Sequence, residues 1–215
     1  MPHSDDKPQQ NRRPLLLFGA GGHGRVVAEA ALSQGQWSRV IASTRSMSAH
    51  LTELLPDVKL VELHTAIHLN NVALHVAIGN NAARQAEAQT LGLNLLVTVM
   101  HAHACVSAFS QIGAGSFVAA GAVIGPLAVL GVGVIVNHGA VIDHDAEVGN
   151  FSHIAQLASV CGHAKLGQRV LIGSGAVVLS CVVLGDDVVL SAGAVASSNL
   201  LAPGVYSGTP AVKIE

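Results

Sequence analysis

From Val106 to Val195 the chain repeats every six residues without a break. Read in sixes it runs VSAFSQ, IGAGSF, VAAGAV, IGPLAV, LGVGVI, VNHGAV, IDHDAE, VGNFSH, IAQLAS, VCGHAK, LGQRVL, IGSGAV, VLSCVV, LGDDVV and LSAGAV. All fifteen hexads open on Val, Ile or Leu, and most follow it with a small residue. A fixed period of this kind marks a solenoid, in which each unit buries its apolar positions against the next. Six residues with one aliphatic and one small position predict a parallel β-helix of three hexads per triangular coil. Fifteen hexads give five coils, a prism roughly 24 Å tall at ~4.8 Å per coil. The leading aliphatics are expected to point inward, and the small second positions to accommodate the corners.

Such a prism has a narrow interior, which explains the composition. Half of the 215 residues are hydrophobic, yet aromatics are only 3%. Charge is sparse, and the net charge of −2 with histidines neutral speaks against a nucleic-acid surface. Cys105, Cys161 and Cys181 are odd in number and form no CxxC pair, so a disulfide framework is not expected and a cytoplasmic setting fits. No apolar run is long enough for a membrane span. Residues 1–13 read as a disordered leader without the apolar core of a signal peptide. Residues 14–100 form a first domain, 101–198 the β-helix, and 199–215 a tail. Pro203 is expected to stop any further strand in that tail.

The first domain opens with "PLLLFGAGGHGRVVAEAALSQG". A buried strand at Leu15 to Phe18 leads into Gly19, Gly21 and Gly24, spaced G-x-G-x-x-G, and then into a helical pattern. Glycines let backbone N–H groups approach an anion, and the following helix aims its positive end at the same point. A tight βα turn that binds nothing is the plain alternative. A dinucleotide site also wants a carboxylate at the end of the second strand, but "RVIAS" is followed by Thr44 and Arg45. A further strand, "ALHVAIG", precedes Asn80 and Asn81, which stand where open α/β sheets bind ligands or else cap the next helix. "NLLVTVM" reads as a last short strand of this domain.

Within the repeat, titratable residues gather in "AVIDHDAEVGNFSH", Ala140 to His153. His144 is flanked by Asp143 and Asp145. A carboxylate that accepts the Nδ1–H of an imidazole fixes its tautomer and raises its basicity, leaving Nε2 as a general base. Asn137 and His153 fall within one coil's length of it, and an interface between subunits is the natural way to bring such residues together. Cys161 pairs with no base and reads as packing.

These motifs together resemble the left-handed β-helix sugar acetyltransferases of bacterial surface glycans. "GAGGHG", "IGNN", "NHGAVIDHDAEVGNFSH", "CGHAKLG" and the closing "GTPAVKI" are similar to the UDP-4-amino-sugar N-acetyltransferases, with the sialic acid O-acetyltransferases as relatives. The resemblance implies a small α/β domain that holds a UDP-amino-sugar, followed by a left-handed parallel β-helix. It implies a homotrimer with acetyl-CoA between subunits, no metal, and direct acetyl transfer to the sugar amine. His144 matches the catalytic base, with Asp145 beside it. Asn137, His153 and Gly162 match positions near the acetyl group and substrate. Gly19, Gly21, Gly22, His23 and Gly24 match the nucleotide-sugar loop, and Asn80 and Asn81 its second loop.

Two other readings remain. One is O-acetylation of a sialic-acid-type sugar. The other is a trimeric β-helix zinc enzyme of the carbonic anhydrase type, with ligands drawn from His138, His144, His153 and His163.

Overall fold

The computed structural model describes residues 12–45, 52–63 and 71–214; most of the leader lies outside them. An α/β domain is followed by a parallel β-helix, as the repeat and the glycine loop led us to expect.

In the first domain, β1 (Leu15–Phe18), β2 (Val40–Ser43), β3 (Glu53–Leu55), β4 (Val58–Leu60) and β5 (Ala73–Val76) form one sheet ordered β3-β4-β2-β1-β5. It is parallel except for the β3–β4 hairpin at its edge. The central strand β1 is fully buried, so its residues serve both faces. Leu15 and Leu17 pack with helix α1 (Gly22–Gln34), while Leu16 and Phe18 face helix α2 (Asn81–Leu91). The C-terminal ends of β1, β2 and β5 thus open between the two helices. The expected strand in "NLLVTVM" divides instead. Leu93–Leu95 is a 3-10 turn, Leu96 bridges to Leu74, and Val99–Met100 pairs with Phe117–Val118 in the β-helix.

The β-helix has three walls. Val123 pairs with Val141 and Val141 with Ser159, a step of eighteen residues, or three hexads. The first wall includes Val123–Ile124 and Val141–Ile142. The second includes Val129–Leu130 and Glu147–Val148, and the third Ile135–Val136 and His153–Ile154. The leading aliphatics Ile124, Val136, Ile142, Ile154 and Ile172 are buried, as expected. The fifth position also turns inward: Ala122, Ala128, Ala140, Ala146 and Ala158 are buried. The corner lies at the fourth position. Every sixth residue from Gly115 to Gly193 has positive φ, including Asp145 at 57° and His163 at 59°. The small second position has a different task from the one expected of it. A Cβ on Gly125 would lie 2.8 Å from the His144 backbone nitrogen, so coils touch there.

The third wall turns its outer residues Phe117 and Ile135 into the α/β core. The domains therefore share one apolar interface. Pro203 does not end strand formation. Gly204–Ser207 pairs with Val188–Leu190, and Val212–Lys213 returns antiparallel to it. A proline immediately before a strand costs no ladder hydrogen bond.

Candidate active site

Two groups of the anticipated residues come together on different sides of the prism. The first surrounds His144. Asp145 sits at the left-handed corner, a conformation Asp tolerates better than most residues. From there its Oδ2 lies 2.8 Å from His144 Nδ1. Asp143 takes a different donor, accepting the His144 backbone N–H at 2.7 Å. The hydrogen bond to Asp145, reinforced by the charge of Asp143, raises the His144 pKa above its ordinary value. Nε2 is left free. It faces Gly162, where a Cβ would lie only 2.6 Å away, so only glycine leaves the ring in place.

The N–H of Gly162 likewise has no partner among the described residues. At the same hexad position, the N–H groups of His138 and His144 are taken by the side chains of Asn137 and Asp143. Cys161 offers Gly162 no such oxygen. Its thiol is pushed above the ordinary value by burial and then by Asp143, the opposite of an activated nucleophile. His163 packs edge-on against His144, ring centroids 5.3 Å apart. His144, Asp145 and His163 place one ligand atom each within 4.8 Å of one another. His138 and His153 are not part of that group.

The second group lies where the third wall meets the α/β domain. Asn137 is buried, and its amide nitrogen lies 3.2 Å from His153 Nε2. Its Oδ1 accepts from the His138 N–H at 2.9 Å, which fixes the amide orientation. Asn137 therefore donates to His153 Nε2, and the ring also shares a hydrogen bond with the Gly79 backbone. Burial lowers the His153 pKa to about 4, helped by the cation of Arg84. His23 lies beside it, ring centroids 6.3 Å apart, and is pushed down to about 3 by burial and then by His153. Both rings are neutral at physiological pH. His23 Nε2 is buried with no hydrogen-bond partner among the described residues.

The glycine loop divides by role. Gly19 has φ 126°, and a Cβ there would lie 2.5 Å from the Ala77 carbonyl oxygen; one on Gly24 would lie 2.2 Å from that of Gly19. Both glycines are demanded by packing. Gly21 and Gly22 face open space, at the head of α1, whose first turn has no side-chain cap. They line a cavity of about 400 Å³ with His23, Thr44, Arg45 and Glu87. Uncapped N–H groups and a positive helix end suit an anionic ligand. Asn80 and Asn81 line a neighbouring cavity of about 380 Å³ with His153, Arg169 and Asp187. Their side chains are already engaged. Asn80 caps α2 by accepting from Ala83 N–H, and Asn81 donates to the carbonyls of Arg169 and Val170.

Arg84 went unnoticed in the sequence. It is almost fully buried and donates to the carbonyls of Ile78, Gly79, Gly133, Phe151 and Ser152, and to Asn81 Oδ1. All its acceptors are neutral, so burial lowers even its pKa, to about 9. Its one sequence signal is a shared α2 face with Asn81 and Ala88. The guanidinium ties the second loop to the third wall and supplies positive charge beneath both cavities.

A hexapeptide-coil β-helix carrying a glycine-loop α/β domain and a hydrogen-bonded His–Asp pair at a corner defines a hexapeptide-repeat acyltransferase. Comparisons with known proteins narrow the class. The PglD N-terminal domain family matches residues 14–91, and the bacterial transferase hexapeptide (six repeats) family matches residues 163–196. The acetyltransferase domain of PglB from Neisseria gonorrhoeae is 30% identical, with a TM-score of 0.87 over 94% of this chain and 100% of that one. The same domain, solved in complex with acetyl coenzyme A, is 31% identical over 95% of this chain and 100% of that one, TM-score 0.86. PerB from Caulobacter crescentus, in complex with CoA and GDP-perosamine, is 29% identical over 94% and 97% of the two chains, TM-score 0.83. No curated protein matches by sequence. The chain belongs to the PglD-like family of hexapeptide-repeat sugar N-acetyltransferases.

Proposed function

We propose that the protein transfers the acetyl group of acetyl-CoA to the amine of a nucleotide-linked amino-sugar, a UDP-4-amino-sugar in the first instance. The observation that carries this reading is the His144–Asp145 pair, with Nε2 free against the bare backbone of Gly162. The sugar amine attacks the thioester carbonyl carbon, and His144 Nε2 accepts the proton the nitrogen loses. The open Gly162 N–H is available to the oxyanion that forms. When that intermediate collapses, the C–S bond breaks, and the proton on His144 passes to the departing thiolate. Asp145 holds the Nδ1–H and stabilises the imidazolium in between. No acyl-enzyme is required.

The sugar nucleotide is assigned to the cavity at Gly21, Gly22 and His23, with His153 in the adjoining cavity beside Asn80 and Asn81 and Asn137 hydrogen-bonded to that histidine. PerB, with its GDP-perosamine, makes a GDP-linked amine the second nucleotide to test.

A homotrimer is part of the proposal. The outward row of the first wall carries Val123, Val141, Val177 and Val195, apolar and at least partly exposed, with Ser159 among them. The second wall carries Glu147 and Lys165, ion-paired at 2.8 Å, and suits water. The third is covered by the α/β domain over its first coils, at Phe117 and Ile135. The first wall is therefore the face for a neighbouring subunit. No helix among the described residues is long and apolar enough to cross a membrane. The cysteines are free, which supports a cytoplasmic enzyme.

The test is thiol release from acetyl-CoA with UDP- and GDP-linked 4-amino-sugars, and with sialic acid as the O-acceptor. His144→Ala should reduce kcat by ~10²–10⁴ without changing the oligomer. Near wild-type turnover in that variant would refute the base.

A further inference from the structure

The chain lacks a carboxylate at the end of β2, yet the fold delivers one there. Arg45, two residues beyond β2, forms two parallel hydrogen bonds to Glu87 on α2, Nε to Oε1 and a terminal nitrogen to Oε2, both 2.7 Å. Its guanidinium also lies over the Phe18 ring, 5.9 Å from the centroid. The pair is unevenly covered: the Arg45 side chain is 58% exposed and that of Glu87 only 19%. A surface ion pair of this kind adds little stability. It does fix direction, because a bidentate fork allows one orientation. That orientation puts Glu87 on the wall of the cavity that Gly21, Gly22 and His23 also line. The Arg45 fork occupies two of the carboxylate's roughly four lone-pair sites, leaving the others for a ligand.

We infer that Glu87, steered by Arg45, reads the ribose hydroxyls of the bound nucleotide, replacing from α2 the carboxylate that β2 does not carry. The inference rests on the nucleotide-sugar reading above and adds how the nucleoside is held. The uncapped head of α1, where Gly21 and Gly22 face open space on the same cavity, marks where the anionic end sits. From there the nucleoside must extend toward the end of β2, where neighbouring hydroxyls meet a carboxylate in open α/β sheets.

The test is calorimetric titration of the full chain with UDP, GDP and their 2′-deoxy and 3′-deoxy counterparts. Wild-type protein should bind at least one of the deoxy forms roughly tenfold to a hundredfold more weakly than its ribonucleotide, as loss of a charge-assisted hydrogen bond implies. Glu87→Gln should weaken the ribonucleotide by a similar factor and narrow its gap to the deoxy form, with the KM for acetyl-CoA unchanged. Equal binding of ribo and deoxy forms by wild-type protein would overturn the inference while leaving the nucleotide reading intact, whatever the variant does. So would a Glu87→Gln effect that follows the base rather than the sugar. Failure of wild-type protein to bind either UDP or GDP would overturn the nucleotide reading as well.

Discussion

Replacing Gly162 by alanine puts one methyl group against the ring of His144. The added carbon would stand 2.6 Å from Nε2 and 2.7 Å from Cε1, where ordinary contact begins at 3.4 Å. The ring must therefore retreat by about 0.8 Å. Its other edge is tied to Asp145 at 2.8 Å and packed on His163. Retreat thus weakens the bond that sets its basicity and moves Nε2 from its place beside the attacking nitrogen. A displacement near 1 Å at a reacting centre costs about 10²-fold in rate, or about 2.7 kcal/mol of transition-state stabilisation. Gly162 is not among the positive-φ residues, so alanine fits the backbone. His144 is half exposed and free to yield, so folding stability should change by less than about 1 kcal/mol. Steady-state thiol release gives kcat, and thermal melting reports the fold. A Gly162→Ala enzyme with kcat within about threefold of wild type would show that the position of Nε2 is not what the reaction depends on.

Two further perturbations use the shifted histidines. A general base must be neutral, so kcat/KM should fall as pH drops through the raised pKa of His144. Asp145→Asn should lower the plateau and move that limb to lower pH, because the largest cause of the raised value is gone; an unmoved limb in the pH–rate profile would rule out the pair. The second concerns stability. Burial pushes His75 and His153 down to about 4 and His23 to about 3. Below pH 6.5 the unfolded chain takes up protons that the folded chain refuses, so stability is lost as pH falls from 6.5 toward 4. At pH 5 each histidine costs about 2 kcal/mol, and the three together a large part of a typical domain's stability. Urea unfolding at pH 8 and pH 5 measures it, and equal stability at the two pH values would contradict the buried neutral state.

The sequence made the prism legible because a coil is a local object repeated. Six residues contain a wall strand and a corner, and the next hexads repeat the lesson. The His144–Asp145 pair was legible for the same reason, being two neighbouring residues. Which of its two carboxylates bonds the ring was not, because it depends on the left-handed backbone at Asp145. Contacts between distant segments left no periodic trace. Arg45 meets Glu87 from 42 positions away, and Arg84 reaches Gly133 and Phe151 across the domain boundary. The strand after Pro203 escaped because its partner, Val188–Leu190, supplies the edge that the tail's own sequence does not announce.

The spacing of the two histidine groups carries a last consequence for assembly. His144 and His153 are nine residues apart, half of an eighteen-residue coil, which turns them to different sides of the same prism. Among the described residues the two groups have separate partners: His144 meets Asp145, His163 and Gly162, while His153 meets Asn137, His23 and the Gly79 loop. The anion-suited cavity lies with the second group and the base with the first. On the proposed reading, a sugar held at His23 and His153 meets a base only if a neighbouring subunit presents its His144. The uncharged valines of the first wall, which ends at the corner bearing His144, give that neighbour a surface to pack on. Catalysis and trimer formation then become one requirement, and a monomer would keep its nucleotide cavity but lack a base within reach.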